Sequence, residues 1–267
     1  MNIYDCVIYF DEDLNLELRF NILDQYVDKF VIVEATRNHA GVKKKLNFNI
    51  NKFNKFKKKI IYLIVDDIPE KVEKFKKGWS PNFFRENFNR NAISRALTEC
   101  SPNDLILISD ADEIPNLELL KTTNIKRFAI FKQRSFVYKL NLMYLDDWLG
   151  SSICYKKYLK SPQWLRNKRF LRRGFLRRIF FKTQILDNGG WHFSFLKNPQ
   201  DIKKKLDAYA HNEYKDLADI ESITKNIKSN IFFIDPKKNL KQTLIDKTYP
   251  KYIRQNIDLY SDWVIKD

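Results

Sequence analysis

Glycine and proline are scarce, with 6 and 8 among 267 residues. That scarcity excludes a collagen-like chain and long flexible linkers between domains. Cysteine is scarce as well. Cys6, Cys100 and Cys154 match no metal-binding spacing, and an odd number closes no disulfide framework. They read as reduced, mostly buried thiols, which fits a cytoplasmic protein. No apolar run approaches the roughly 20 residues that a helical membrane span needs. Met1-Asn2-Ile3-Tyr4-Asp5 lacks a basic stretch followed by an apolar one, so no signal peptide is expected. The chain also lacks internal repeats and low-complexity runs.

What is present is a large apolar fraction: 44% hydrophobic and 15% aromatic residues. Such a chain can bury a sizeable core, and its length suits one large domain or one domain with a small appendage. The charge is one-sided, with 49 basic against 33 acidic residues and a net +16. Two readings stand side by side. Lys, Asn, Ile and Phe are abundant together, as an AT-rich coding sequence would make them. An anionic partner would call for the same excess.

The first half alternates short apolar runs with helical patterns. Val7–Phe10, Phe30–Val33, Ile60–Val65 and Leu105–Ile108 read as buried strands. Leu14, Leu18, Ile22 and Tyr26 form a helical stripe between the first two. Ser80-Pro81 reads as a helix start, a capping hydroxyl followed by proline at the first helical position, with Phe84, Phe88, Ala92 and Ala96 on one face. This alternation predicts an α/β fold with a mostly parallel sheet covered on both faces. In open sheets of that kind ligands sit at the carboxyl ends of the strands. Here those ends carry Glu34, Asp66-Asp67 and the segment from Ser109 on. Further along, Phe128–Leu140 reads as a long strand or hairpin. Leu176–Leu186 and Trp191–Leu196 read as strands joined by the turn Asp187-Asn188-Gly189-Gly190. Pro199 opens a helix with Ile202, Leu206 and Tyr209 on one side. Tyr260 and Trp263 are expected to pack back on the domain.

The most informative segment is Ser109-Asp110-Ala111-Asp112-Glu113-Ile114-Pro115, where a buried strand runs into three carboxylates. Asp110 and Asp112 project to one side of an extended segment. Carboxylates brought close repel one another, and a hard divalent cation with oxygen ligands relieves that repulsion. Such a cation keeps positions open for substrate phosphates. The alternative is an Asp-x-Asp that merely caps a turn.

This segment resembles the Asp-Ala-Asp-Glu-Ile-Pro motif of glycosyltransferase family 17, whose members include the transferases that add a bisecting N-acetylglucosamine. Other stretches are similar to that family in the same order. They are Asp28-Lys29-Phe30-Val31-Ile32-Val33-Glu34 with Gly41 downstream, then Trp79, Arg85 and Arg95, then Gly190-Trp191-His192 followed by Ser194. The resemblance covers roughly residues 3–215. It implies a GT-A-like, Rossmann-like sheet flanked by helices. It also implies Mn²⁺ or Mg²⁺ bound at the Asp-x-Asp, a UDP-sugar donor, and inverting transfer, with GlcNAc as the sugar. Residues 1–215 then form the transferase domain, and 216–267 a C-terminal helical extension packed on it. The acceptor would be a glycan or a lipid-linked hydroxyl.

On this reading Asp112 holds the metal directly, and Asp110 holds it or the donor ribose. His192 is a third metal ligand or a phosphate donor. Glu34 accepts from ribose or uracil, or else caps a turn. Arg85 forks onto the diphosphate, or else makes a helix salt bridge. Trp191 and Trp148 stack on a sugar face or fill the core. Inverting transfer needs one base for the acceptor hydroxyl. Its candidates, in order, are Glu213, Glu113 and Asp187.

From Lys156 to Lys182 there are eleven basic residues and no acidic one, interleaved with Trp164, Phe170, Phe175 and Phe180 among other apolar residues. A solvated face would mix signs. The stretch 156–182 therefore reads as peripheral contact with an anionic membrane. The rival reading is a basic nucleic-acid- or membrane-binding protein without transferase activity. No RNA-recognition, helix-turn-helix or zinc-finger pattern supports a nucleic-acid partner.

Overall fold

The computed structural model describes residues 1–69, 80–172, 183–208 and 219–266. The first strand, β1 (Ile3–Ile8), starts earlier than expected and shares only Val7 and Ile8 with the run Val7–Phe10; the other three apolar runs of the first half become β2 (Lys29–Ala35), β3 (Ile60–Val65) and β4 (Leu105–Asp110). The four lie parallel in the order β3-β2-β1-β4. The inner residues of β1, β2 and β4 are buried whichever way they point, which is why those runs are continuous rather than alternating. The expected buried strand β3 is instead a half-buried edge strand, with Ile64 42% exposed. One face holds Phe30, Ile32 and Leu107 against Leu16, Phe20 and Leu23 of helix α1 (Asp13–Leu23). The other holds Val31, Val33, Ile106 and Ile108 against Ala92, Ile93 and Leu97, at the end of helix α2 (Pro81–Ala92) and in the 3-10 turn after it. This is the Rossmann-like half that the GT-A expectation called for.

Helix α2 starts where expected: Phe83 N–H donates to Ser80 Oγ at 3.3 Å, and Pro81 takes the first helical position. Its orientation is not the expected one. The residues that α2 buries are Asn82, Arg85, Asn89, Arg90 and Ala92, whereas Phe84 and Phe88 are half-buried. Burying that polar face is possible because the strand ends meet it with carboxylates and carbonyls.

The second half is antiparallel where the first is parallel. Strands β5 (Glu113–Pro115), β6 (Phe128–Val137) and β7 (Leu142–Tyr155) follow, then β8 (Gln184–Leu186) and β9 (Gly190–Ser194). The longest strand, β7, has no counterpart in the sequence reading. It inserts antiparallel between β4 and β6 and carries two register shifts against β6. Its apolar pattern is interrupted by Asp146 and Asp147, which those irregularities push out of the ladder. Of the expected strand at 176–186 only Gln184–Leu186 falls within the described residues. Strand β9 runs parallel to β6 and antiparallel to β5. A Cβ at Gly190 would sit 2.2 Å from Ile114 O, and its φ is +124°, so only glycine brings the two strands this close.

The remaining elements are α3 (Pro162–Arg166), α4 (Pro199–Ala208), α5 (Ile220–Lys228), β10 (Lys241–Gln242) and α6 (Lys251–Gln255). Ile202 and Leu206 of α4 and Ile223 of α5 share a core with Val137 and Phe195. Near the C-terminus Tyr260 is buried and donates to Glu17 at 2.9 Å, while Trp263 O accepts from Leu140 N–H at 2.8 Å. Among the described residues no helix is long and apolar enough to cross a membrane.

Two fully buried arginines hold the turn between β4 and β5. Arg19, from α1, forks onto Asp5 and donates to Glu113 O at 2.5 Å. Arg166, from α3, donates to both carboxylate oxygens of Glu113, to Asp110 Oδ2 and to Gly150 O. Glu113 also accepts from Trp148 Nε1 at 2.6 Å and from Asp110 N–H at 3.1 Å. Burial, the largest influence, pushes the Glu113 carboxyl upward, but Arg166 together with Arg169 holds the group below the ordinary range.

Removing Arg166 strands Glu113 as an uncompensated charge, because both side chains are 0% exposed. Arg166→Met is expected to cost about 3–5 kcal/mol in urea unfolding. A cost near that of an exposed ion pair, about 0–1 kcal/mol, contradicts this account. The sign of the pH dependence follows from the depressed carboxyl. Its stabilisation is present above the unfolded value of about 4.3 and is lost as pH falls through and below it. Urea midpoints measured from pH 7 to pH 3 are expected to drop in that window in the native chain, and to drop less in Arg166→Met.

Candidate active site

A cavity of about 820 Å³ opens at the carboxyl ends of β1, β2 and β4. That size suits a cofactor or nucleotide. Ile8 at the end of β1, with Tyr9 and Phe10 after it, enters the cavity, as do Ala35 at the end of β2 and Arg37 and His39 beyond it. Asn89 and Arg90 enter from α2. The opposite wall is made by Tyr144, Asp146 and Trp148 of β7, Ser135 of β6, and Phe232. Asp110, Asp112 and His192 lie in the same lining.

The two aspartates differ in what holds them. Asp110 Oδ1 accepts from Arg90 at 2.9 Å, and its Oδ2 accepts from Arg166. Burial opposes ionisation, yet Arg166, then Arg90 and Arg169, hold this carboxyl far below the ordinary range. Both oxygens are thus committed to arginine, which departs from the expected metal ligand. Asp112 sits in the turn after β4 instead of in an extended segment. The ladder between β5 and β9 sets His192 opposite Glu113, and Phe193 N–H donates to Asp112 O at 2.8 Å. These contacts put His192 Nε2 3.7 Å from Asp112 Oδ1.

The imidazole is held on two further sides. Its Nδ1 lies 3.3 Å from Ser135 Oγ, and Trp148 stacks on its face with centroids 4.6 Å apart. In the tautomer that donates from Nδ1 to Ser135, the Nε2 lone pair faces a carboxylate oxygen beyond hydrogen-bond range. In that tautomer the two are Lewis bases placed to share a cation. The set fits a hard divalent ion that takes one or two protein ligands and leaves its other positions to phosphate. Among the described residues no three His, Cys, Asp or Glu side chains form a closed metal cage. Lys205 adds a positive charge 3.5 Å from Asp112 Oδ2 and 3.3 Å from Glu12. Arg169 also lines the cavity, and burial, followed by Arg166, pushes it down to about 10.

Several expected site residues lie elsewhere. Glu34 is fully buried and accepts from Lys44, from Tyr62 Oη at 2.8 Å, and from the backbone N–H of Asn47 and Phe48. It organises the 44–48 loop and has no route to a ribose. Arg85 is buried beside Gly41 and donates to His39 O at 3.3 Å, so it props the 38–41 turn from behind and does not line the cavity. Trp191 is buried and donates to Thr248 O at 3.0 Å; the tryptophan of the cavity is Trp148. Glu113, sealed under Arg166 and Trp148, is no base. Asp187 is 74% exposed, pairs with Lys132 at 3.3 Å and lies off the cavity. Glu213 and Trp79 fall outside the described residues.

The sequence reading missed Asp146, Asp147, Arg90, Arg169 and Lys205. Asp146 Oδ2 accepts from Tyr144 Oη at 3.3 Å and pairs with Lys238. The adjacent Asp-Asp inside an otherwise apolar stretch was the available signal, because strand interiors avoid such pairs. Of the basic stretch 156–182, residues 173–182 lie outside the described residues; among the rest, Arg166 and Arg169 turn inward to the carboxylates, while Lys157 and Lys160 are exposed.

Comparison with known proteins places the chain. It is 24% identical over 288 residues to the β-1,4-mannosyl-glycoprotein 4-β-N-acetylglucosaminyltransferases of Rattus norvegicus and Homo sapiens, covering 92% of this chain and 51% of each relative. The chain therefore spans about half the length of the curated relatives it matches. Among solved structures it matches glucosyl-3-phosphoglycerate synthase from Mycobacterium tuberculosis, in complex with Mn²⁺, UDP and phosphoglyceric acid. That match has a TM-score of 0.33 and 10% identity, covering 73% of this chain and 68% of that one. The family model of glycosyltransferase family 17 matches residues 1–250, and the chain belongs to that family.

Proposed function

We propose that this chain transfers N-acetylglucosamine from UDP-GlcNAc, with inversion, to a hydroxyl of a glycan or lipid-linked acceptor. The observation that carries the reading is the Asp112–His192 pair, 3.7 Å apart, in the lining of a strand-end cavity of nucleotide size. The similarity to β-1,4-mannosyl-glycoprotein 4-β-N-acetylglucosaminyltransferases supports the sugar. Residues after β1 and β2 would receive the nucleoside. Mn²⁺ or Mg²⁺ held by Asp112 and His192 would offset the charge that builds on the departing diphosphate.

The chain's own groups do the rest. Lys205 supplies positive charge beside the same point, and Arg169 supplies it elsewhere in the cavity lining, near Glu113 and Trp148. Trp148, 36% exposed and fixed by its bond to Glu113, offers a ring edge to a sugar, with His192 stacked on its face and Arg169 over the ring at 5.5 Å. The acceptor oxygen attacks the anomeric carbon as the bond to the diphosphate breaks, and the hydroxyl proton passes to a carboxylate. Asp146 is the base we assign, in place of Glu113 and Asp187. It lines the β7 side of the cavity and is ionised at neutral pH, its carboxyl held below the ordinary range chiefly by the hydrogen bond from Lys238. Asp147 lines the same cavity and is likewise paired, with Lys132 at 2.9 Å; it is the second candidate.

Two measurements test this. UDP with Mn²⁺ is expected to raise the melting temperature of the native chain, and Asp112→Asn should abolish both that shift and UDP release from UDP-GlcNAc, by at least about a hundredfold. A chain that shows no shift and no turnover with any nucleotide sugar contradicts the reading. Asp146→Asn is expected to keep the UDP shift and lose about 10²–10⁴ in kcat. If Glu213→Gln shows that loss and Asp146→Asn does not, the base is Glu213.

A further inference from the structure

At the far end of the sheet from Asp110, cations and aromatic rings alternate over one surface. Tyr155, the last residue of β7, pairs with Leu105 at the start of β4, and Phe128, the first of β6, pairs with Cys154. Lys157 lies over the rings of Tyr155 and Tyr158 at 5.4 and 5.5 Å, and Arg127 over Tyr158 at 5.4 Å. Lys168 lies over Trp164 at 4.3 Å and over Phe128 at 5.5 Å, with Lys160 at 6.0 Å from Trp164. The rings touch in turn: Tyr155 with Tyr158 at 6.4 Å and Phe128 with Trp164 at 6.0 Å.

We propose that this patch, carried by Arg127, Lys157, Lys160 and Lys168, docks the protein on an anionic bilayer surface. Three observations favour that occupant. Among the described residues none of the four cations forms an ion pair; Lys157 donates to the neutral Asn103 at 2.8 Å. The like charges are close enough to act on one another, since burial and then Lys160 and Arg127 push Lys168 downward. Each ring already has a cation over a face. The patch therefore presents cations on an amphipathic aromatic bed, the arrangement of a headgroup-level anchor, and few bare rings for nucleobases to stack on.

The patch differs from the expectation drawn from the stretch 156–182. Arg127 and Phe128 belong to it, whereas Arg166 and Arg169 are consumed by Glu113 and Asp110. Its place has a consequence. Asp110 lies five residues beyond Leu105 along β4, about 16 Å away at the rise of a strand. A docked molecule holds its cavity at that distance or more from the headgroups, within reach of an acceptor that extends from the bilayer.

Flotation with vesicles tests the proposal independently of any transfer activity. The native chain is expected to bind phosphatidylcholine vesicles only when phosphatidylserine is included, and to be released as salt rises. Arg127→Glu, Lys157→Glu and Lys160→Glu are substitutions at exposed positions. Together they should weaken binding by at least about a hundredfold, at about fivefold per lost cation. The melting temperature and UDP-GlcNAc turnover should be unchanged. Equal binding to neutral vesicles, or undiminished binding by the triple variant, overturns the proposal. So does tight binding of single-stranded RNA by the patch with no binding to vesicles.

Discussion

The structure depends on a buried guanidinium that joins three separate pieces of chain. Arg166, on a five-residue helix, reaches Glu113 on β5, Asp110 at the end of β4 and the carbonyl of Gly150 on β7. A buried carboxylate and a buried guanidinium each carry a large desolvation cost, offset only while they remain paired and hydrogen-bonded. The pairing therefore fixes the path of the chain through the acidic turn. Arg19 does the same from the other side by binding the carbonyl of Glu113. Between them the two arginines leave the turn little freedom, and Asp112 is the carboxylate that remains to face the cavity with its oxygens outside the arginine network.

The division of labour among the acidic residues follows from that constraint. Glu113 and Asp110 are neutralised by arginine and are structural in effect. Asp112 meets a lysine and a histidine at distances of 3.5 and 3.7 Å, too long to be satisfied contacts. Its neighbour His192 is held by Trp148, and Trp148 is held by Glu113. The buried ion pair and the candidate ligand pair are thus coupled through one indole ring. Rigidity in the clamp becomes positional precision at the cavity.

The antiparallel half of the sheet supplies what a plain Rossmann-like half lacks. The irregularities in β7 turn Asp146 and Asp147 out of the ladder, and the close approach at Gly190 brings β9 against β5 so that His192 arrives beside Asp112. Phe232, near the C-terminus, completes the far wall. The cavity is assembled from residues more than two hundred positions apart in the chain, while each contributing segment is short.

How much of this was legible in the sequence depends on the range of the interaction. The four parallel strands, the start of α2 and the acidic turn were readable because each rests on neighbours a few residues apart. A buried strand needs an unbroken apolar run, a helix start needs its hydroxyl and proline, and a carboxylate cluster is visible as such. The roles of the individual carboxylates were not readable. Glu34, Asp110 and Glu113 look like Asp112 as letters, and what separates them is which cations fold onto them. Arg166 comes from 53 residues away in the chain and Lys205 from further still. The basic stretch misled for the same reason, since its composition cannot say which guanidiniums turn inward. Local pattern determined the elements and the presence of an acidic rim. Only the tertiary structure decided which acid stays available, because the balance of desolvation and charge pairing is struck between residues that the chain order keeps apart.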